Sequence, residues 1–250
     1  MKKLILILMF LFSLNANAEI GYFTDTDNMT GILQYYEDGT EAADYNVNRL
    51  SPYASNANAS VIRVGQAYSG TYDFTTDRTL FRFDTSAITT SKSITSATLK
   101  VVVTTNSTDT DFNIRLVAAQ DTISTTYFGI NSYNRFAGWE NITSSFVVTA
   151  ISNDVSTVGI SAGDTLLFTL NAAGIARINR AGKTQFYMMS HLDIAGTAPT
   201  GLEYVVIEDD SPYMTITYYN NSQQITHFKN KDGIPFKLNN DGKTQTLWSK

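Results

Sequence analysis

The sequence predicts an all-β protein, a two-layer jelly-roll β-sandwich with a small C-terminal β-meander. Three observations carry that expectation. Aromatic residues make up 12% of the chain and charged residues only 16%, alongside abundant Thr, Ser and Asn. Such a composition suits pleated strands joined by polar turns, whereas helices draw on runs of Leu, Ala, Glu and Lys. Within Thr79–Val103 (TLFRFDTSAITTSKSITSATLKVVV), Leu80, Arg82 and Asp84 alternate with Phe81 and Phe83, the two-residue period of a strand. Strand-length runs then recur between turn signals along the chain, which is the layout of a sandwich.

The elements follow in order. Lys2 and Lys3, the apolar run Leu4–Leu14 and Ala16-Asn17-Ala18 have the three parts of a secretory signal peptide, with cleavage expected before Glu19. The apolar run is about eleven residues, roughly half of a bilayer span. From Glu19 to about Glu41 the chain reads as polar and turn-rich, with Asp25-Thr26-Asp27-Asn28 and Glu37-Asp38-Gly39 as breakers. Tyr45–Val47 and Ser60–Val64 read as short strands around the loop Ser51–Ala59. Leu80–Phe83, Ala97–Val103, Asn113–Ala118, Phe146–Ile151 and Thr165–Leu170 follow, the last two bracketing a turn at Gly159–Gly163. Gln185–Met189, Tyr204–Glu208 and Met214–Tyr219 complete the sandwich, and Ala172–Asn179 reads as one short helix with Ile175 and Ile178 inward.

The expected organisation is a signal peptide over 1–18, a β-sandwich over 19–219, and a linker with a three-stranded meander over 220–250. In the tail, Ile225–Lys229, Ile234–Leu238 and Lys243–Trp248 are separated by Asp232-Gly233 and Asp241-Gly242. Asp-Gly is a strong hairpin signal because a type I′ turn needs positive φ at both central positions. A meander this small must pack on something, either the sandwich or another chain, so the tail is a candidate contact to a second copy or an assembly partner.

Removing Lys2 and Lys3 moves the formal charge from −5 to −7. An acidic surface argues against nucleic acid, which needs clustered Lys and Arg. No later segment is apolar enough to span a membrane as a helix. The chain has no Cys, so an exported form would fold without disulfides, as its length permits.

Ala43–Gly65 (ADYNVNRLSPYASNANASVIRVG), Leu80–Ile88 (LFRFDTSAI) and Ile94–Val103 (ITSATLKVVV) carry a recognisable pattern. They resemble the DNRLRE-domain family, which is itself similar to jelly-roll carbohydrate-binding modules and includes an alginate-binding branch. Asp44 matches the Asp before that family's first strand; Arg82, Phe83 and Asp84 match its Arg-Phe-Asp strand end; Ser96–Leu99 match its "SATL" strand entry. Leu170–Lys183 and His191–Thr200 resemble the later half. The similarity spans roughly Asp38–Tyr219. It implies a jelly-roll fold, a structural role for Asp44, Arg82, Phe83 and Asp84, and the kind of structural calcium such modules hold with Asp and backbone oxygens from distant segments.

Few motifs suggest catalysis. Gly159-Ile160-Ser161-Ala162-Gly163 matches G-x-S-x-G, but a nucleophile elbow needs a helix directly after the Ser, and a β-rich stretch follows. The two histidines, His191 and His227, have no second His or Cys at zinc-ligand spacing. Asp25-x-Asp27 and Asp109-x-Asp111-x-Asn113 lack the Gly of a calcium loop, with Thr30 and Ile114 in its place, and read as solvated turn carboxylates. Arg82 and Asp84 fall two apart on one strand face and read as an ion pair or a turn anchor rather than a ligand contact.

Sugar binding calls for aromatic faces beside hydrogen-bonding side chains. Tyr127, Tyr133, Asn134, Arg135 and Trp139 form the densest such set, with Phe128 and Phe136 among them, the alternative for Phe136 and Trp139 being that they cap the sandwich core. The expectation is a secreted, non-catalytic module that recognises a polysaccharide or surface glycan through these residues, without a cofactor. The alternative is a structural or adhesive component of a cell surface or phage-like particle.

Overall fold

The computed structural model describes residues 18–24, 31–38, 45, 56–58, 62–69, 73–119, 148–220, 228–229, 235–238 and 244–246. It is an antiparallel β protein, as the composition and alternation predict. β1 (Glu19–Thr24), β2 (Gly31–Asp38), β3 (Asn56–Asn58), β4 (Ile62–Tyr68), β5 (Asp73–Asp84) and β6 (Lys92–Thr108) come first. β7 (Asn113–Ala118), β8 (Val155–Ser156), β9 (Thr165–Thr169), β10 (Lys183–Ser190), β11 (Leu202–Ile207) and β12 (Tyr213–Asn220) follow. All twelve belong to one sheet whose main path runs β1-β12-β6-β11-β4-β5-β10-β7-β8; β9 joins at β6, and β2 with β3 at β5. The sheet curls into a half-barrel around one core.

Two long strands allow the curl. β6 pairs with β12 along Lys92–Lys100, with β9 along Thr98–Val102, and with β11 along Val103–Thr108. β5 pairs with β4 along Phe74–Asp77 and with β10 along Thr79–Asp84, while β2 lies along Asp73–Leu80. Each long strand therefore hands over from one partner to the next, and right-handed twist accumulates through the handover. Register shifts in the β6 ladders between Thr217 and Tyr218 and between Val206 and Ile207 add local bends.

Alternation decides what the curl encloses. In β9, Leu166 and Phe168 point inward and Thr165, Leu167 and Thr169 outward. In β6, Ala97, Leu99, Val101 and Val103 are buried. They meet Met214 and Ile216 of β12, Phe81 and Phe83 of β5, Phe186 and Met188 of β10, and Val205 and Ile207 of β11 in one apolar cluster. Burial of each Val, Leu, Ile, Phe or Met among them stabilises by about 1.5–3 kcal/mol before entropy is counted. Two short helices cap turns at the sheet's rim. α1 (Ala172–Ala176) is N-capped by Asn171, whose Oδ1 accepts from Gly174 N at 3.0 Å. α2 (His191–Ala195) is N-capped by Ser190 and closed by Gly196 in the left-handed region at φ 74°.

Several boundaries differ from expectation. The stretch Glu19–Glu41 read as turn-rich, yet it supplies β1 and β2, because pairing with β12 and β5 outweighs its polar composition. Tyr45, expected to begin a strand, is helical and buried. The strand expected at Phe146–Ile151 shrinks, among described residues, to single bridges at Ala150 and Ser152. The expected helix Ala172–Asn179 stops at Ala176. Strands β5 and β6 run well past the alternating cores that announced them, into Ser- and Thr-rich sequence.

In the tail, β13 (Phe228–Lys229), β14 (Pro235–Leu238) and β15 (Thr244–Thr246) form a separate antiparallel sheet in sequential order. No helix among the described residues is long and apolar enough to cross a membrane.

Gly65 shows how tightly the sheet closes. It sits at φ 138°, and a Cβ there would lie 2.1 Å from the Glu203 carbonyl oxygen of β11. Gly159, at φ 73°, has open space around it. Gly65→Ala should therefore disrupt β4–β11 pairing and prevent cooperative folding. Gly159→Ala should cost only the backbone strain of about 1–2 kcal/mol. Thermal unfolding followed by circular dichroism separates the two; equal effects would contradict this account.

Candidate functional site

The charged groups of the interior come first, because buried charge is where chemistry is often found. Among the described residues, Arg78 and Arg82 of β5 are the two largest fully buried side chains. The Arg78 guanidinium meets Asp193 of α2 in a two-point pair, Nε to Oδ2 at 2.6 Å and Nη2 to Oδ1 at 2.8 Å, with both side chains excluded from solvent. Arg82 Nε and Nη2 donate to Gln185 Oε1 on β10 at 3.2 and 2.8 Å. Nearby, the Tyr45 hydroxyl donates to Gln66 Oε1. Gln66 Nε2 donates in turn to Glu203 Oε2 at 2.8 Å and to the Thr197 carbonyl at 3.0 Å. Glu203 Oε1 accepts from Thr200 N at 3.3 Å.

These contacts tie β4, β5 and β11 to α2 and the loop after it. Tyr45, Gln66, Arg78, Arg82, Asp193 and Glu203 are buried, while Gln185 is partly exposed. They bracket these elements together through directional bonds.

The residues singled out by sequence take separate places. Phe83 is core. Arg82 is fully buried although its strand reads as half-exposed, because both faces of β5 are covered at this point. Asp84 is exposed and anchors the turn that follows: its Oδ1 accepts from Ser86 N at 3.0 Å and from Ser86 Oγ at 2.6 Å. The Ser86 hydroxyl, and then its backbone N–H, hold the Asp84 carboxyl below the usual carboxylate range. Asp84 thus closes a turn instead of pairing with Arg82 along the strand. Asp44, Tyr127, Tyr133, Asn134, Arg135 and Trp139 lie outside the described residues, as do Asp25, Asp27, His227 and the signal segment 1–17.

Ser161 of the GISAG match sits in an exposed turn, its N–H donating to Asp164 Oδ2 at 2.8 Å, and strand β9 follows where an elbow would need a helix. His191 begins α2, and its Nδ1 accepts from Asn113 N at 2.8 Å. Asp109 Oδ2 accepts from Leu202 N at 2.8 Å, and Asp111 Oδ1 from the Thr157 hydroxyl at 3.1 Å, so both carboxylates pin neighbouring loops.

The surface holds a second arrangement that sequence reasoning missed. On the outer face of β1, β12, β6 and β9, Tyr22, Thr215, Thr98 and Thr169 are cross-strand partners in one continuous row. The row on one side is Ile20, Thr217 and Ser96; on the other side Tyr213, Lys100 and Leu167 align. Thr165 extends the face beside Val102. Tyr22 is 71% exposed, Ile20 55% and Leu167 53%.

No carboxylate lies in these rows, and the one charge, Lys100, holds its ammonium 5.1 Å from the Tyr213 ring centroid. The hydroxyls of Thr98, Thr169, Thr215, Thr217 and Ser96 make no hydrogen bond among the described residues. The result is an aromatic side chain beside a grid of available donors and acceptors. Its signal was present in the outward-facing positions of MTIT (Thr215, Thr217), SATLK (Ser96, Thr98, Lys100) and TLLFT (Thr165, Leu167, Thr169), where hydroxyl residues alternate with buried apolar ones. Only the pairing register joins those positions.

Comparison with known protein families and with curated proteins finds no match to this chain.

The bracket reading makes a stability prediction. Asp193→Ala leaves the Arg78 charge buried without its carboxylate and should cost about 3–5 kcal/mol, whereas Arg78→Met with Asp193→Leu should recover most of it. Urea unfolding of the two variants tests this. A single variant as stable as the parent would show that the pair does not brace the fold.

Proposed function

We propose that the chain is an exported, non-catalytic β module that binds polysaccharide, using the outer face of β1, β12, β6 and β9. The observation that carries the reading is the row Tyr22–Thr215–Thr98–Thr169 with its flanking hydroxyls. Sugars are recognised by stacking of their C–H faces on aromatic rings and by hydrogen bonds to their hydroxyls. Tyr22 offers the ring, and the Thr side chains offer groups that both donate and accept. Branching at Cβ restricts those hydroxyls to few orientations, so little rotamer freedom is lost on binding.

The resemblance to the DNRLRE-domain family supports the same reading through its similarity to jelly-roll carbohydrate-binding modules. The curled sheet is compatible with that jelly-roll assignment. The Tyr127–Trp139 segment stands as a second candidate contact, with Tyr133, Asn134, Arg135 and Trp139 as its hydrogen-bonding and stacking groups.

Export rests on the N-terminal signal pattern. Mass spectrometry of the exported chain should give an N-terminus at Glu19, the first residue of β1; a chain still carrying Met1 would refute cleavage at Ala18.

Affinity electrophoresis through gels containing neutral and anionic polysaccharides tests binding. At least one polymer should retard the protein, and Tyr22→Ala should weaken retention roughly tenfold. Absence of retention on every polymer, together with self-association by light scattering, would favour the alternative of a structural or adhesive component, for which the separate tail sheet offers a contact.

A further inference from the structure

We infer that the outer face recognises the ordered surface of a solid, neutral polysaccharide rather than a single dissolved chain. The inference rests on the polysaccharide-binding reading above and specifies its ligand. Four strands about 4.8 Å apart, carrying three rows of side chains about 6.8 Å apart along each strand, make a patch of roughly 400 Å². The patch follows the surface of four paired strands. Its hydroxyls repeat in two directions: across the strands in the row Thr215–Thr98–Thr169, and along β12 from Thr215 to Thr217.

A single chain laid on such a face engages one row or one column and leaves the other hydroxyls in water. It also loses the conformational freedom it had in solution, which opposes binding. A solid presents parallel chains already ordered, so both directions of the grid can be matched without that loss. Hydroxyls slightly out of step are bridged by water at little cost.

The other occupants fit less well. A stable protein dimer buries about 800 Å² on each partner, roughly twice this patch. Its two-dimensional hydroxyl grid also lacks the apolar centre of such interfaces. A strongly acidic polymer would find only Lys100, which is engaged with the Tyr213 ring. The mature chain carries a formal charge of −7 once Lys2 and Lys3 are removed, which further disfavours a polyanion. An uncharged solid meets none of these objections.

The test uses the full mature chain and microcrystalline cellulose and chitin powders, with soluble oligosaccharides of the same sugars as competitors. Depletion isotherms should show saturable adsorption to at least one powder. Thr215→Lys should reduce it roughly tenfold, Thr215→Ser should largely preserve it, and the matching oligosaccharide should compete only at about hundredfold higher concentration. Thr215 is partly exposed on the sheet surface, so both variants keep the core intact, and circular dichroism verifies their folding.

Equal affinity for the dissolved oligosaccharide and the powder would overturn the inference while leaving the polysaccharide reading in place. Adsorption unchanged in both Thr215→Lys and Tyr22→Ala would overturn the inference and remove this face as the polysaccharide site, while polysaccharide binding elsewhere on the chain would stand. Adsorption to ice crystals with none to either powder would also overturn it, assigning the grid to ordered water instead.

Discussion

The arrangement depends on the handover of β6 from β12 and β9 to β11 within a single uninterrupted strand. Here the strand changes partners at Val103, and the sheet has to bend with it. That bend encloses Leu99, Val101, Phe168 and Met214 on one side. It leaves Thr98, Lys100, Thr169 and Thr215 on the other. Core and candidate surface are thus two consequences of one register, because side chains alternate faces residue by residue.

A one-residue slip of β6 against β12 would exchange the two sets and expose Leu99 and Ala97. The apolar residues therefore specify the hydroxyl grid indirectly: they fix which residues may face outward. The brackets at the other end of the curl serve a related purpose. Arg78–Asp193 and the Tyr45–Gln66–Glu203 chain join strands to α2 and its loop through directional bonds, where an apolar contact would tolerate sliding. Their burial makes them expensive to break.

Several features were legible from the residues in order. The all-β class followed from composition and from the alternation in Leu80–Phe83. The strand at Asn113–Ala118 was read to the residue, and those at Thr165–Leu170 and Met214–Tyr219 nearly so. Local pattern failed where a strand owes its existence to a neighbour. β1 and β2 are polar and flanked by breakers, and they become strands because β12 and β5 offer edges to pair with. Arg82 and Asp84 share one strand face in the sequence pattern, which offers an ion pair between them; only the structure shows Arg82 buried against Gln185 and Asp84 exposed in its turn.

The sequence by itself determined the class of structure, the inward-facing Phe81 and Phe83, and the extent of the strand Asn113–Ala118, all properties of a few neighbouring residues. Only the tertiary structure decided that Arg78 meets Asp193 across more than a hundred residues of chain. It likewise decided that Thr98, Thr169, Thr215 and Tyr22 fall into one row. The reason is that period-two alternation tells which way a side chain points and nothing about which strand lies beside it. Pairing and register arise from burial summed over the whole core, and a surface assembled from four strands exists only once that sum has been satisfied.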